Sequence, residues 1–190
     1  MALWGATDAD ESKPKWMTTA DKKEVLATTA GWVVEAGSAM TGNDNTASTP
    51  EVLVATGGLT TSLGAATIDS VDWNITTFDK SAGGTLSVTV RYNEAVDVAT
   101  SNPTLVVTNS VNSNHTLTYA SGTGSNELVF TLAIAAANAA TDADDVLSVA
   151  AQSVVLASSS TIKDAGTATN AELVITAGQG TAAGTITVVA

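Results

Sequence analysis

The most regular alternation of apolar and polar residues lies between Gly84 and Val98. Apolar residues take every second position at its start, with polar residues between them, as in Leu86-Ser-Val-Thr-Val-Arg-Tyr92. A period of two predicts a β-strand with one buried and one solvent-facing side. Gly83-Gly84 predicts a turn before this strand. Asn93-Glu94 predicts its end, and a further strand is expected from Ala95.

Segments of the same kind follow one another from residue 67 to the end of the chain. Each is rich in Val, Ile, Thr or aromatic residues and is separated from the next by a polar turn. The exception is Ala133–Ala140, where alanine favours helix and one short helical turn is expected. The other predicted strands are Val71–Ile75, Thr104–Asn109, His115–Tyr119, Glu127–Ile134, Val146–Leu156, Glu172–Thr176 and Gly184–Val189. This spacing is typical of an all-β fold, an antiparallel sandwich over residues 67–190.

Residues 1–66 differ from the rest of the chain and are predicted to form an extended N-terminal arm and a small β region. Residues 1–15 are polar and without periodicity, which predicts an extended arm. Thr18 and Asp21 have the spacing of a helix N-cap, so a short helical turn is expected there. Gly31–Glu35 and Glu51–Ala55 are predicted strands. We therefore place a boundary near residue 66, between an attachment region and the sandwich.

The charge balance limits the classes of partner. The chain has 19 Asp and Glu against 7 Lys and Arg, a net charge of −12. An acidic surface repels the phosphate backbone, so nucleic acid is not an expected partner. No apolar run approaches the roughly 18 residues of a membrane-spanning helix, so no membrane span is predicted.

The densest group of carboxylates is Asp142, Asp144 and Asp145. A calcium site is one interpretation, because hard oxygen ligands suit that ion, and Asp97 or Asp164 would then complete the shell. The spacing lacks the fixed Gly and the later Glu of a helix–loop–helix calcium loop. We therefore favour a solvated turn and expect no cofactor.

Candidate catalytic residues are scarce. His115 is the only histidine, it follows the turn-forming Asn112-Ser-Asn114, and we expect it to be exposed. Cysteine is absent, and no motif places a nucleophile beside a base. A polysaccharide hydrolase would need two paired acids in a cleft, which a sequence does not reveal. An enzyme is therefore not the expected class.

Three of the four tryptophans lie in the N-terminal region, at Trp4, Trp16 and Trp32. The arm has little core to fill, and Trp is enriched at the centres of protein interfaces. For Trp32, within a predicted strand, core and interface remain equally open. Neighbouring lysines favour an acidic partner surface. The predicted partner-binding residues are Leu3, Trp4, Lys13, Lys15, Trp16 and Trp32.

A succession of short motifs between residues 84 and 175 resembles a known family. The motifs are Leu86-Ser-Val-Thr-Val-Arg-Tyr-Asn-Glu-Ala-Val-Asp97, Pro103-Thr-Leu105, Leu117-Thr-Tyr-Ala-Ser-Gly-Thr-Gly124, Leu128-Val-Phe130 and Thr161-Ile-Lys-Asp-Ala-Gly166. They resemble the bacterial immunoglobulin-like repeats of adhesins and large surface proteins. The resemblance implies an Ig-like sandwich and says little about function. Surface adhesins usually contain many copies, whereas this sequence has one.

The N-terminal region carries a second resemblance. Its motifs are Met1-Ala-Leu-Trp-Gly5, Trp16, Gly31-Trp-Val33, Gly42-Asn-Asp-Asn45 and Pro50-Glu-Val-Leu-Val-Ala55. They are similar to the starts of virion structural proteins of marine tailed bacteriophages, including cyanophages.

Together the two resemblances imply a non-enzymatic decoration or cement protein on the outer capsid surface of the virion. The major capsid protein is the implied partner, and self-association at a lattice axis, for example as a trimer, is expected. The alternative is a tail-fibre or surface-adhesin domain that binds a host glycan or protein.

Overall fold

The structure is a computed structural model that describes residues 13–100, 102–157 and 159–190, so the predicted contacts of Leu3 and Trp4 lie outside the described residues. The helices are α1 (Thr19–Lys23), α2 (Leu59–Leu63) and α3 (Ala177–Ala183). The strands are β1 (Val25–Thr28), β2 (Gly31–Val34), β3 (Glu51–Ala55), β4 (Ile68–Trp73), β5 (Phe78–Asp79), β6 (Gly84–Ala99), β7 (Thr104–Asn109), β8 (His115–Ser121), β9 (Ser125–Ile134), β10 (Val146–Ser148), β11 (Gln152–Ser153), β12 (Thr161–Asp164), β13 (Val174–Ile175) and β14 (Thr185–Val189). The predicted all-β class is confirmed. None of the helices described is long and apolar enough to cross a membrane.

Twelve strands form one mixed sheet, and β11 and β13 form a second, two-stranded sheet. The large sheet runs in the order β3-β2-β1-β6-β9-β8-β7-β10-β14-β5, with β4 and β12 pairing to β6 outside this path. Most pairs are antiparallel, and the β1–β6 and β5–β14 pairs are parallel. Strand β6 therefore has four neighbouring strands and is the centre of the fold.

Strand β6 confirms the predicted alternation and corrects its predicted end. Leu86, Val88, Val90 and Tyr92 are fully buried. The strand does not stop at Asn93-Glu94 and continues to Ala99, so that prediction is wrong. Asn93 keeps the chain extended, because its N–H donates to Thr67 O and its side chain accepts from Thr67 N. Pairing with β9 shifts register between Arg91 and Val96, a β-bulge or a similar irregularity.

The predicted helical turn at Ala133–Ala140 is also wrong. Strand β9 extends to Ile134, and turns follow it, with Ala137 at a φ of +52°. Pairing of Ala133 and Ile134 with the start of β6 outweighs the helix propensity of alanine. A helix that the sequence analysis missed is α3, where Thr176 and Gln179 form a capping box.

The N-terminal region has its own small hydrophobic cluster, built from Met17, Val25, Ala27, Trp32 and Leu59. Thr18 caps α1 by accepting from Asp21 N, as predicted. Strands β1, β2 and β3 form an antiparallel meander. The larger cluster begins at Ala66 and takes its residues from the rest of the chain.

The sheet is nevertheless continuous across residue 66. Ala27 of β1 pairs with Glu94 of β6, which joins the small β region to the body. The meander also requires one glycine. Gly31 has a φ of +133°, and a Cβ there would lie 2.0 Å from Val54 O, so only glycine fits.

Candidate attachment site

Trp16 is displayed on a turn that is anchored at both ends. Met17 N donates to Pro14 O at 3.3 Å and closes the turn. Pro14 is buried, and Met17 packs in the small N-terminal cluster. Between them the Trp16 side chain is 67% exposed. An indole held in water by a fixed turn is a feature of interface anchors, because little ordering entropy is lost on docking.

Lys13 was predicted to contact a partner, and the structure instead uses it within the chain. Its Nζ donates to Lys22 O at 2.7 Å and forms an ion pair with Asp69. It also lies 5.6 Å from the centre of the Trp32 ring, in cation–π geometry. Burial lowers the pKa of Lys13, and the Asp69 carboxylate opposes that effect. Lys13 therefore fastens the start of the described chain to β4.

Trp32 lies in the chain's own interior. It is 2% exposed on β2, and its Nε1 has no hydrogen-bond partner among the described residues. Of the two roles left open by the sequence, burial assigns Trp32 to the core of the N-terminal region. Lys15 is exposed beside Trp16. The predicted attachment residues within the structure thus reduce to Lys15 and Trp16.

A groove of about 310 Å³ lies between α1 and α3. Lys13, Lys22 and Lys23 line it, together with Asp69 and Gln179. Asp69 pairs with Lys13, as described above, and Asp72 pairs with Lys23 at 2.5 Å. Lys22 has no carboxylate partner within residues 13–100, 102–157 and 159–190. Its uncompensated positive charge makes this edge of an otherwise acidic protein locally basic.

Arg91 joins the N-terminal region to the body. Its guanidinium lies 3.3 Å from Glu24, 3.4 Å from Asp72 and 2.5 Å from Glu127. These partners come from the end of α1, from β4 and from β9. The alternation of the sequence indicates only that Arg91 lies on the polar side of its strand. This network could not be predicted from it, because no local pattern links residues so far apart.

The acidic loop is ordered by protein donors. Asp145 is buried and accepts from Asn109 Nδ2 at 2.7 Å, Asn112 Nδ2 at 2.9 Å and Asp142 N at 2.8 Å. Burial disfavours its ionisation, and these hydrogen bonds outweigh burial and lower its pKa. The Asp142 carboxylate accepts from Lys80, which is the main cause of its lowered pKa. Asp144 is exposed at a φ of +70°.

The interpretation of this loop as a solvated turn is therefore wrong for Asp145, which is held by amide donors inside the protein. Asp97 is exposed on β6 and Asp164 is buried on β12. Within the part of the chain that the structure describes, no three His, Cys, Asp or Glu side chains are grouped so that they could hold a metal ion.

His115 is buried, contrary to the prediction that it lies in an exposed turn. It opens β8, and its Nε2 lies 3.3 Å from Thr141 Oγ1. Burial lowers its pKa, and the Asp145 charge partly offsets this. The turn residues were read correctly, but the packing of the acidic loop against His115 is a long-range contact.

No family model matches the chain, and no curated protein or solved structure is significantly similar to it. The function must therefore be argued from the residues and contacts described above.

Proposed function

We propose that this chain is a non-enzymatic structural protein that attaches through its N-terminal region to the outer surface of a phage capsid. In this role it decorates and reinforces the shell of the virion, with the major capsid protein as its partner. The body, residues 67–190, is an Ig-like sandwich that projects into solvent. The motifs between residues 84 and 175 support that finer fold assignment, as does the antiparallel pairing of β6 through β9.

The observation that carries the proposal is the exposed Trp16 on its anchored turn. Other large exposed apolar side chains of the described chain are valines, including Val111 at 77%. Trp16 offers a much larger apolar surface than any valine, and burial of apolar area contributes about 25 cal/mol per Å². Its position next to the N-terminal segment favours that end of the molecule as the attached one.

The distribution of charge supports the same orientation. Four of the seven Lys and Arg lie between residues 13 and 23, around Trp16. Residues 69–190 hold 3 Lys and Arg against 11 Asp and Glu. Lys13 and Lys23 pair with Asp69 and Asp72, so steering towards an acidic surface would depend mainly on Lys22 at the edge described above. The strongly acidic body would stay in water and be repelled by its neighbours.

The contacts between the N-terminal region and the body support a reinforcing role. A decoration protein strengthens a shell only if its attached end is firmly joined to the rest of the molecule. The β1–β6 pairing and the Arg91 network provide that junction. Each bound copy would also stabilise the assembled lattice by mass action. A closed ring of copies, such as a trimer at a symmetry axis, stays a prediction.

The test is binding of the purified chain to capsids that lack it, measured by co-sedimentation and by electron microscopy. Trp16→Ala is expected to weaken binding by roughly 30-fold, the effect of losing an interface anchor of about 2 kcal/mol. Val111→Ala is the matched control, since it removes an exposed apolar side chain from the body, and it should bind normally. Circular dichroism should show that both variants fold.

Two outcomes contradict the proposal. If Trp16→Ala binds capsids as tightly as the unmodified chain, Trp16 is not the anchor. If capsids do not bind the chain and host cells do, the alternative function as a tail-fibre or adhesin domain is favoured.

A further inference from the structure

Glu94 is a buried carboxylate without a partner. Its side chain is 0% exposed on β6, and neither carboxylate oxygen accepts a hydrogen bond within the described chain. Buried carboxylates are normally hydrogen-bonded, paired with a cation or bound to a metal ion, because an isolated buried charge is very costly.

The strand pairings show what surrounds Glu94. Val96 pairs with Asp164 of β12, and Ala165 N donates to Ala95 O at 3.0 Å. This last hydrogen bond places the turn that follows β12, residues 165–167, next to the residue that adjoins Glu94 in β6.

The space beside Gly166 is lined by oxygen atoms. A Cβ added to Gly166 would lie 3.2 Å from Asp164 Oδ1, 3.2 Å from Thr60 Oγ1 and 3.0 Å from Thr60 Cβ. These distances are shorter than ordinary van der Waals contacts, so the absence of a side chain at Gly166 is what lets Asp164 Oδ1 and Thr60 Oγ1 approach one another here. The backbone of Gly166 is not in the left-handed region, so these close contacts, and not backbone strain, are what call for glycine.

Thr60 supplies a second unsatisfied oxygen. It lies on α2 of the N-terminal region and is 6% exposed, and its Oγ1 has no hydrogen-bond partner among the described residues. Thr60 of α2 and Glu94 of β6 thus both have unpartnered oxygens, and both lie near Asp164: Thr60 through the close approach at Gly166, and Glu94 through the effect of the Asp164 charge on it. Buried oxygens without hydrogen-bond partners are normally satisfied by a donor or by a cation.

Asp164 is already oriented for a further ligand. Its Oδ1 accepts from Gly166 N and its Oδ2 from Thr167 Oγ1, both at 2.6 Å. Carboxylates that bind metal ions are typically held by such outer hydrogen bonds, and each oxygen retains a free lone pair. Asp164 is 1% exposed, and its charge acts on Glu94. No Lys, Arg or His of the residues described forms an ion pair with either carboxylate.

We propose that Glu94, Asp164 and Thr60 bind a hard divalent cation, best matched by Ca²⁺, at the junction where Gly166 lets Asp164 and Thr60 approach one another. Carboxylate and hydroxyl oxygens without nitrogen or sulfur ligands suit Ca²⁺ and disfavour zinc. The main-chain oxygen Gly64 O lies at the same junction, where it accepts from Thr167 Oγ1 at 3.4 Å. This site is separate from the loop of Asp142, Asp144 and Asp145. Its cation would fasten α2 of the N-terminal region to β6 and β12 of the body.

Protonation of Glu94 is the competing explanation for the missing partner. Burial, together with the Asp164 charge, raises the pKa of Glu94 to about 7. A neutral Glu94 would remove the repulsion between the two carboxyl groups without any cation. The two explanations predict different responses to Ca²⁺ at a pH above 7, so one experiment separates them.

The experiment measures thermal unfolding of the full chain at pH 8, after treatment with EDTA, with and without added CaCl₂. Ca²⁺ at about 100 times its Kd should raise Tm by roughly 5–10 °C for a chain of this size. Isothermal titration with CaCl₂ should give one site per chain. Glu94→Gln should abolish both signals and fold at least as well in EDTA, because the amide removes the repulsion with Asp164. Gly166→Ala should weaken Ca²⁺ binding, because the added Cβ would push Asp164 Oδ1 and Thr60 Oγ1 apart.

Asp144→Asn is the matched control, since it removes one carboxylate from the exposed acidic loop, and it should keep the full Ca²⁺ response. If Glu94→Gln does not fold, Thr60→Val removes a single oxygen at nearly constant shape, and the Ca²⁺ response should fall. The proposal is overturned if the unmodified chain binds no Ca²⁺ at pH 8 and gains stability only on acidification. It is also overturned if Asp144→Asn loses the response while Glu94→Gln keeps it. None of these measurements requires a capsid, so they stand apart from the test of attachment.

Discussion

Replacing Arg91 with Met should release the N-terminal region from the body. The substitution keeps the aliphatic length of the side chain and removes the guanidinium that lies among Glu24, Asp72 and Glu127. Three carboxylates would then face one another across the junction without their shared cation, although Lys23 would still pair with Asp72.

The size of the effect follows from burial. The Arg91 side chain is 18% exposed, and those of its partners are 17%, 28% and 41% exposed. Exposed ion pairs contribute about 0.2–1 kcal/mol, and removing one member of a buried pair costs about 3–5 kcal/mol. A half-buried network lies between these limits. We expect Arg91→Met to lower the free energy of unfolding by about 2–3 kcal/mol.

The assay is urea unfolding followed by circular dichroism, at low salt and in high salt. The control is Lys80→Met, which removes a Lys from an isolated ion pair with the more exposed Asp142. That variant should lose at most about 1 kcal/mol. Added salt should reduce the difference in the free energy of unfolding between the unmodified chain and Arg91→Met, because screening weakens the partly exposed ion pairs. Equal losses for Arg91→Met and Lys80→Met would show that the network does not stabilise the junction.

Two further predictions concern single positions. Gly31→Ala should cost more than about 3 kcal/mol, because its Cβ would overlap Val54 O at a φ of +133°, whereas Gly57→Ala, which has open space, should cost little. A comparably small loss of unfolding free energy in both variants would contradict the requirement for glycine at position 31. Because His115 has a lowered pKa in the folded chain, the unfolded state binds more protons just below pH 6.5, and stability should fall as the pH is lowered through that value. Protonation of Glu94, whose pKa is raised, acts in the opposite direction over this range but does so equally in both proteins. The measurement is therefore the difference in unfolding free energy between the unmodified chain and His115→Gln, which should shift against the unmodified chain as the pH falls from 7.5 to 5.

The sequence predicts best where a local pattern decides the structure. The alternation of Leu86 to Tyr92 places those side chains in the core because strand geometry alone fixes their faces. The Thr18 cap of α1 and strand β3 are likewise set by a few adjacent residues.

Prediction fails where a distant residue decides the outcome. Lys13 was assigned to a partner surface because its own ion-pair partner, Asp69, is 56 residues away in sequence. Asn93-Glu94 was predicted to end the strand, whereas Glu94 is buried within β6, where the neighbouring strands β1 and β12 come from distant parts of the sequence. The candidate site behaves similarly, since Trp16 and Trp32 have equivalent side chains and only packing distinguishes the exposed one from the buried one.

Strand β6 holds both features that join the N-terminal region to the body. Arg91 meets the N-terminal carboxylate Glu24, and three positions later Glu94 pairs with β1 and is proposed to share a cation with Thr60 of α2. The first link is an ion-pair network that salt weakens, and the second is a cation site that chelation would empty. If both links transmit load from an attached N-terminus to the body, removing either one should soften the junction while Trp16 remains able to bind. Reinforcement of a shell would then be lost while attachment persists. Shell stability measured with Arg91→Met or Glu94→Gln bound at full occupancy therefore separates reinforcement from attachment.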